Sequence, residues 1–545
     1  DPTPVKEHWG GYHLRLNPLP DVHYTMGIQY DTTPKSSKQT LLVLFAIAIV
    51  IVVIAGINFT NFSTALTPMR IKSINTQKVL GGEESVIRLA LILEAMFISV
   101  FSYFIGLLLV YMTGKTSIAS LIDADITLSA HWGLVWLTAL IAIATGIFSG
   151  IYPSYYMTSF PPALVLKGSF GLSPKGRQLR NVLIGIQFVA SFGLIIGATF
   201  MYLQNYYMQN TPLGYDKDEI IITNMNNNIR KSRDAFASQV KSFSGIEEVT
   251  YAEMLLSSHD QYMGWGRKYR DKDIQFQCLP VEPSFLKVMN VKISEGRDFR
   301  EEDKAKRYGT FVFNERARTE YGLEIGSLID SMEIVGFMPD VKFASFRTEV
   351  TPMAFFVWGT NNWGNQPNFA YIKVKAGSDL RGAMLHVKTT LQSFDPEYPF
   401  NVRFFDEVFN GLYEKERSLS SLITLFSLIA IFISVVGVFG LVVFDSEYRK
   451  KEIGIRKVLG STTEEIIVMF NKTYIRILCV CFVLGAPIAG YVVHRWLENF
   501  AYKTPMYWWV YLIAFAIIAV ITILTVTFQN WRAANENPVH SIKNE

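Results

Sequence analysis

Long apolar runs separated by short polar segments make up most of this chain, and one long stretch of mixed composition interrupts them. Seven runs are long enough to cross a membrane, because about 20 apolar residues in a helix span the hydrocarbon core. These runs lie at residues 41–59, 89–112, 133–152, 183–203, 419–444, 474–494 and 507–528. The pattern therefore predicts a polytopic α-helical membrane protein.

The interrupting stretch, residues 205–418, has the composition of a soluble domain. Runs rich in β-branched and aromatic residues predict strands, and apolar residues at helical spacing predict helices. The strands are expected at 309–314, 332–337 and 368–375, and the helices at 233–243 and 380–394. A segment of this length can bury its own core, so we expect a large α+β domain.

The positions of the cations predict which side of the membrane each segment faces. Lys and Arg outnumber Asp and Glu only by 51 to 47, but they concentrate at residues 70–88, 167–180 and 449–457 and near the C-terminal end. The loops 113–132 and 495–506 contain few cations. Since cations favour the cytoplasmic side of a membrane protein, the basic segments are expected in the cytoplasm. The α+β domain is then extracytoplasmic.

Part of the chain is present twice. The sequence KVLGGEESVIRL, which begins at Lys78, aligns with KVLGSTTEEIIV, which begins at Lys457, an offset of 379 residues. Beyond the next loop the offset becomes 376, and Trp132 falls on Trp508. Three consecutive spans with their loops therefore occur twice in the same orientation, as in transporters built from parallel repeats. We interpret the fold as a tandem duplication.

A complete unit of this duplication would consist of one helix, an external domain and three further helices. The first unit has no counterpart of the fourth span, so we expect eight spans in the full chain where seven are seen. The predicted division is 1–38 as the C-terminal remnant of a first periplasmic domain, 39–168 as the first three-span unit, 169–204 as a cytoplasmic linker and span leading into the second half, 205–418 as the α+β domain, and 419–545 as the second three-span unit.

The segment RKKEIGIRKVLGSTTEEI, residues 449–466, lies between the fifth and sixth spans. Glu452 stands three residues after Arg449 and four before Arg456, the spacing at which helical side chains pair. Gly460 fits the position just after a helix end. We expect a short amphipathic helix along the cytoplasmic face, followed by a sharp turn.

Further residues of this segment complete the prediction. Ile453, Val458 and Leu459 are expected to form an apolar stripe beside the charges. Ser461 and Glu464 match a capping box, in which two side chains accept hydrogen bonds from each other's backbone N–H groups. The next helix is therefore expected to begin here and to enter the bilayer.

Two interpretations of the short helix remain open. In the first, its cations anchor the segment to anionic lipid headgroups. In the second, the helix docks a cytosolic protein, because an anchor requires neither a Glu flanked by two Arg nor a capped, rigid turn. Movement of that protein would then move the helix that follows.

Several motifs resemble those of FtsX-like permeases, the membrane subunits of MacB-type ABC transporters. Besides residues 449–466, they are GINFTNFSTA (56–65), EGRDFREED (295–303), VFNERA (312–317), IVGFMPDVKFASF (334–346) and FFDEVFNGLYEKE (404–416). The resemblance implies two FtsX-like permease units and a MacB-like periplasmic domain in the bacterial cytoplasmic (inner) membrane. It also implies that separate cytosolic ATPases dimerise on ATP and push coupling helices, and that the helices relay this motion to the periplasm.

The resemblance also implies which residues dock an ATPase. In the second copy the coupling helix corresponds to Arg449, Lys451, Glu452, Gly454, Arg456, Lys457 and Gly460, whereas the first copy retains only Arg70, Lys72, Lys78 and Gly81. Permeases of this kind homodimerise, so the duplication implies that one chain forms both halves and recruits two ATPase subunits. ATP and Mg are expected on those ATPases, and no cofactor is expected on this chain.

Other classes of function have little support in the sequence. Because no G-x-x-x-x-G-K-[ST] phosphate loop occurs, the chain is not expected to be an enzyme. The histidines and cysteines lack metal-ligand spacing, so no metal site is expected, and neither is a nucleic-acid partner. Glu94, in the second span, is a candidate functional acid because carboxylates are costly inside a membrane; a location at interface depth is the alternative.

Two functions share all of these motifs. One is a permease that exports or extracts a hydrophobic or peptide-like cargo. The other is a signalling scaffold of the FtsX kind, which controls a periplasmic partner without moving cargo. Membrane lipids are expected neighbours in both cases, and the cargo remains open.

Overall fold

The computed structural model describes residues 18–24, 38–114, 116, 125–162, 174–257, 263–342, 346–361, 367–448 and 450–534. The chain divides into two compact units. The domain unit is built on Gln204–Glu416 together with Glu498–Thr504. The helical unit is built on Lys38–Leu203, Arg417–Leu497 and the residues from Pro505 onwards.

Within the described residues, seven helices are long and apolar enough to cross a membrane. We call them the first to seventh spans: Lys38–Ala65, Glu84–Thr113, Trp132–Thr158, Pro174–Asn210, Glu414–Tyr448, Thr463–Leu497 and Trp508–Ala534. Each overlaps one predicted span, so that prediction is confirmed. The helices run beyond most of the predicted ends, because a helix satisfies its own backbone hydrogen bonds and continues past its apolar part.

Short helices follow two of these spans. Thr67–Val79 comes directly after the first span, and Lys450–Val458 comes after the fifth. A 3-10 turn, Leu128–Ala130, precedes the third span. The short helix predicted within 449–466 is therefore present, and its first-copy counterpart is helical as well.

The first span packs against the fourth and fifth spans, which belong to the other copy of the repeat. A buried apolar cluster joins the three helices, formed by Ile47, Ile54, Leu194, Met201, Leu419, Ile423 and Ala430. The buried amide of Asn58 donates a 2.6 Å hydrogen bond to the Ile433 carbonyl and accepts one from Gln187. Gly437 leaves the space for this contact, because a Cβ there would overlap the Asn58 side chain. The two copies of the repeat are therefore packed against each other within one chain.

The domain unit contains two sheets. The strands are β1 Ile220–Asn224, β2 Ile246–Ala252, β3 Met263–Tyr269, β4 Lys272–Pro280, β5 Glu295–Gly296, β6 Thr310–Asn314, β7 Leu328–Ile329, β8 Met332–Met338, β9 Met353–Val357, β10 Phe369–Val374 and β11 Val402–Phe404. An antiparallel sheet has the order β11-β1-β10-β2, and a mixed sheet has the order β3-β4-β9-β6-β8-β5, with β7 paired to β8. The three predicted strands are confirmed as β6, β8 and β10.

Helices cover these sheets and complete the α+β fold. They are Asn227–Lys231, Arg233–Val240, Phe285–Val288, Glu315–Tyr321, Leu380–Phe394 and Phe405–Gly411, with a 3-10 turn at Glu301–Ala305 and a separate turn of helix at Leu19–Val22. Both predicted helices are present, although the first ends at Val240. One core consists largely of aromatic side chains, including Trp265, Phe276, Phe311 and Phe356.

The motif EGRDFREED has a structural role in this domain. The guanidinium of Arg297 forms two hydrogen bonds, of 2.7 and 2.8 Å, with the buried carboxylate of Asp303. The same carboxylate accepts a hydrogen bond from the backbone N–H of Arg300. A buried charge is stable only when it is paired and hydrogen-bonded, so the motif fixes the loop between β5 and β6.

Candidate functional site

The two short helices end in the same way, at what we call the first corner (Thr67–Glu84) and the second corner (Lys450–Glu465). Gly81 and Gly460 have φ values of 92° and 95°. These lie in the left-handed region, which glycine adopts without the penalty that a Cβ imposes. In both corners the residue after the glycine donates a hydrogen bond, of 2.9 Å, to a carbonyl of the last helical turn. The predicted glycine turn is present in both copies.

Each corner exposes two apolar side chains just before its glycine. Val79 and Leu80 are 61% and 81% exposed, and Val458 and Leu459 are 70% and 80% exposed. We call each pair the tip of its corner. Of the three residues of the predicted apolar stripe, Ile453 is buried and Val458 and Leu459 are exposed, and a stripe that faces the membrane stays a prediction. The glycine turn reverses the chain at this point and leaves the tip outside the packed surface.

The cap of the sixth span lies one residue later than predicted. Thr462 Oγ1 accepts a hydrogen bond from the Glu465 N–H, and the Glu465 carboxylate accepts one from the Thr462 N–H, both at 3.2 Å. Ser461 and Glu464 therefore do not form the capping box. Neighbouring Ser and Thr residues have the same capping chemistry, so sequence alone does not fix which one starts the helix.

Lys78 holds the first corner against the end of the third span. Its ammonium donates a 2.7 Å hydrogen bond to Glu84 and another to the carbonyl of Thr158, and its side chain is only 10% exposed. Thr158 is the last residue of the third span, where the helix dipole favours a positive charge. Lys78 thus neutralises a carboxylate and caps a helix at once.

Arg88 reinforces this contact from the second span. Its guanidinium donates hydrogen bonds to Glu84, at 2.6 Å, and to the hydroxyl of Thr158, at 2.8 Å. It also lies over the ring of Tyr155, 4.6 Å from the centroid. The start of the second span and the end of the third are thereby joined to the first corner.

Arg70 and Glu94, two candidate site residues, form an ion pair with each other. Two parallel hydrogen bonds, of 2.7 and 2.9 Å, join the guanidinium to the carboxylate. The hydrogen bonds to Glu94 raise the pKa of Arg70. Both side chains are more than 40% exposed. The pair fixes the first corner helix to the second span. Since the second span begins at Glu84, Glu94 lies about 15 Å along it at 1.5 Å per residue.

The second corner does not have the residues for this set of ion pairs. The positions that match Glu84, Arg88, Glu94 and Thr158 are Thr463, Ile467, Thr473 and Ala534. Apolar packing contributes to holding this corner, with Ile453 in the same buried cluster as Ile466, Phe470 and Val526. Arg456 contacts the sulfur of Met469.

Several predicted docking residues lie outside what the structure describes. Arg449 is not among the described residues, and the side chains of Lys451 and Glu452 and the surroundings of Gly454 are not described either. The pairing of Glu452 with its two arginines therefore stays a prediction. Lys72 is exposed and Lys457 is partly buried.

In the first corner, the ion pair of Glu84 and Arg88 had a sequence signal that was missed, the i,i+4 spacing on one helix, whereas two other contacts had none. Lys78 and Thr158 are 80 residues apart, and Arg70 and Glu94 are 24 apart. The exposed tips had a signal in the sequence, an apolar pair directly before a glycine, and such a pair beside a membrane span also fits lipid contact. Among the described residues, no three His, Cys, Asp or Glu side chains gather as metal ligands.

Comparison with known families agrees with this arrangement. The model of the FtsX-like permease C-terminal family matches twice, at residues 45–162 and 424–538. The model of the MacB-like periplasmic core domain matches residues 182–388. The two FtsX-like matches fall on the two copies inferred from the repeat offsets, so the tandem duplication is confirmed.

Individual relatives are more distant. The macrolide export ATP-binding/permease protein MacB of Chromobacterium violaceum is 23% identical over 230 residues, which cover 40% of this chain and 35% of that protein. MacB of Escherichia coli is 22% identical over 233 residues, with the same coverage of each chain. The matched part is about a third of the length of these curated relatives. The periplasmic region of MacB from Actinobacillus actinomycetemcomitans has 13% identity and a TM-score of 0.28, covering 38% of this chain and 97% of that structure.

Proposed function

This chain is a permease of the FtsX/MacB type, a multi-pass inner-membrane protein with a periplasmic α+β domain, and we propose that it couples ATP hydrolysis by cytosolic ABC ATPases to movement of that domain. Permeases of this type work with ABC ATPases in general. In this proposal ATP and Mg bind the partner subunits, and this chain holds neither.

The repeated corner is the observation that carries the proposal. Both corners present two exposed apolar residues and then a left-handed glycine, although the sequences around them differ. Exposed Val and Leu next to a rigid turn suit insertion into a groove of a partner protein, since burying them there is favourable. Two such corners in one chain support docking of two ATPase subunits, one at each.

The charge of the second corner adds specificity to this docking. We expect Glu452 to hold Arg449 and Arg456 in place and to contact the ATPase, as the spacing predicts. An anchor to anionic lipid would gain nothing from a carboxylate at this position. The docking interpretation is therefore favoured over the headgroup anchor.

The proposed cargo is hydrophobic or peptide-like and is exported or extracted from the membrane. The relatives named above are macrolide exporters by name, and a macrolide is a largely apolar molecule. A signalling scaffold without cargo would use the same corners. Stimulation of ATP hydrolysis by a cargo distinguishes the two, because a scaffold has no cargo to respond to.

The test is reconstitution of the full chain in lipid nanodiscs with the ABC ATPase that co-purifies with it. We expect two ATPase subunits per chain by native mass spectrometry, and ATP hydrolysis that rises when the chain is added. Two copies of this chain per particle would contradict the pseudo-dimeric arrangement. Hydrolysis that is independent of the chain would contradict coupling.

A further inference from the structure

The loop between the sixth and seventh spans is part of the domain unit. Residues Glu498–Thr504 form one compact body with Gln204–Glu416, although the spans on either side of the loop belong to the helical unit. The domain has covalent connections to the fourth and fifth spans, since it lies between them in sequence. The loop adds a further connection, because it contacts the rest of the domain unit and is joined in sequence to the sixth and seventh spans.

Gln204 joins the loop to the outer end of the fourth span. Its amide nitrogen donates a 3.0 Å hydrogen bond to the Tyr502 carbonyl, and its amide oxygen accepts a 2.8 Å hydrogen bond from the Thr504 N–H. Gln204 is fully buried, and Thr504 is only 3% exposed. Both ends of a buried amide are therefore satisfied by the backbone of one loop, which fixes the loop in register with the helix end.

Tyr502 joins the same loop to the body of the domain. Its N–H donates a 3.1 Å hydrogen bond to the carbonyl of buried Phe346, and its ring lies 5.7 Å from the Phe346 ring. The ammonium of Lys342 lies 5.0 Å from the centroid of the Tyr502 ring. A backbone hydrogen bond, an aromatic contact and a cation–π contact thus converge on one residue of the loop.

The segment around Phe346 also contacts the chain that leads into the fifth span. The Phe346 N–H donates a 3.1 Å hydrogen bond to the hydroxyl of Tyr413. Arg347 forms an ion pair of 2.8 Å with Glu416 and lies over the ring of Phe500 in the loop. Phe346 and Arg347 therefore join the loop to Tyr413, just before the fifth span, and to Glu416, in its first turn. We call Gln204, Phe346, Arg347, Glu416 and Tyr502 the clasp.

The sixth span connects the second corner to this clasp. It begins at Thr463, immediately after the corner, and runs without interruption to Leu497, immediately before the loop. A helix of this length extends about 50 Å at 1.5 Å per residue. One continuous helix therefore has the proposed docking site at one end and the clasp loop at the other.

From this arrangement we infer that the clasp is a third mechanical attachment of the domain, through which displacement of the sixth span reaches the domain directly. Gln204 is a positioning residue in this route, since it acts through the loop that it holds. The inference rests on the proposed function, because the displacement originates at the docked second corner. It adds a route besides the covalent connections of the fourth and fifth spans.

The test measures movement of the domain in the full chain with its co-purifying ATPase in nanodiscs. Spin labels are placed through Lys388→Cys on the domain and Leu108→Cys on the second span, which contributes no residue to the clasp; both positions are exposed, and the exposed Cys479 is replaced by Ser. Distances between the labels are recorded without nucleotide and with ATP and vanadate. We expect a nucleotide-dependent change in distance in the otherwise unaltered chain.

Gln204→Ala should reduce this change while leaving the amount of bound ATPase the same, which a general folding defect would not do. Gln204→Glu keeps the oxygen that accepts from Thr504 and should reduce the change less than Gln204→Ala does. Asn205→Ala is the matched control, because the neighbouring amide makes only a 3.4 Å contact with the Glu416 carbonyl; it should behave like the parent chain. A full change in distance in Gln204→Ala would overturn the clasp and leave the proposed function standing. A parent chain that binds no ATPase would overturn both.

Discussion

The two corners have the same backbone and different charge chemistry. In both, a short helix ends at a left-handed glycine and exposes an apolar tip. In the first corner, Lys78 and Arg70 are engaged by Glu84, Glu94 and the end of the third span. The second corner has Thr463 and Thr473 in place of those two carboxylates. The duplication has thus kept the shape of the corner while its cations acquired different surroundings.

This difference has a consequence for docking. The first corner has Ser73 where the second has Glu452, so the charged group proposed to contact the ATPase has no counterpart in the first corner. The tip does not depend on these ion pairs and is equally exposed in both corners. We therefore expect the two corners to be alike in apolar docking and unlike in the contribution of their charges.

The largest effect is expected from the charge of the second corner. Glu452→Ala should weaken ATPase association by on the order of 2–5 kcal/mol, the cost of removing one partner of a desolvated charge pair at an interface. Stability of the chain should change by only about 0.2–0.5 kcal/mol, the usual contribution of a charge pair at this spacing on a helix. Titration of the ATPase against chains in nanodiscs measures the first quantity.

Ser73→Ala is the matched control, since Ser73 occupies the position of Glu452 in the first copy. It should leave ATPase association unchanged. Equal, near-zero effects at both positions would mean that the second corner helix is a lipid anchor. Tighter attachment of Glu452→Ala to anionic vesicles, with ATPase binding unchanged, would lead to the same conclusion.

The second prediction tests whether the tips of the two corners dock in the same way. Leu459→Ala should weaken ATPase association by about 1.5–3 kcal/mol, the free energy of burying a leucine side chain in a partner groove. Leu80→Ala should have an effect of the same size, because the two tips are 80% and 81% exposed in the free chain. A loss at Leu459 with none at Leu80 would restrict docking to the second corner.

The sequence predicts the features that neighbouring residues determine. It does not predict the contacts between residues that are far apart along the chain. The spans, the glycine turns and the repeat depend on local patterns, and these predictions were confirmed. The capping box was predicted one residue early because Ser461, Thr462 and Thr463 are chemically similar. The contact of Lys78 with Thr158 depends on how the second and third spans pack, and no local pattern encodes that. The clasp is likewise formed by segments far apart in sequence.

A third effect concerns stability. Lys78→Met should lower the free energy of unfolding by about 1–3 kcal/mol, because the carbonyl of the buried Thr158 loses a charged hydrogen-bond donor that is itself largely buried. The Lys457→Met variant measures the corresponding contribution in the second corner, where Thr463 stands at the position of Glu84. Thermal unfolding in detergent compares the two. Equal losses would mean that the second corner has an equivalent of the first corner's ion pairs.

The smallest effect tests the pair of Arg70 and Glu94, where two interpretations of Glu94 give different results. As an exposed pair with good geometry, it should contribute about 0.2–1 kcal/mol to stability, measured by a double-mutant cycle of Arg70→Gln and Glu94→Gln.

If Glu94 only positions the corner, exchanging the charges by Arg70→Glu with Glu94→Arg should restore both stability and ATPase coupling. A functional acid within the membrane would instead need its carboxylate at position 94. The exchanged chain would then recover stability but not coupling, and Glu94→Gln alone would lose coupling while Arg70→Gln would keep it. Because the Glu94 carboxylate is hydrogen-bonded to Arg70 of the first corner, we expect the exchange to restore both stability and ATPase coupling.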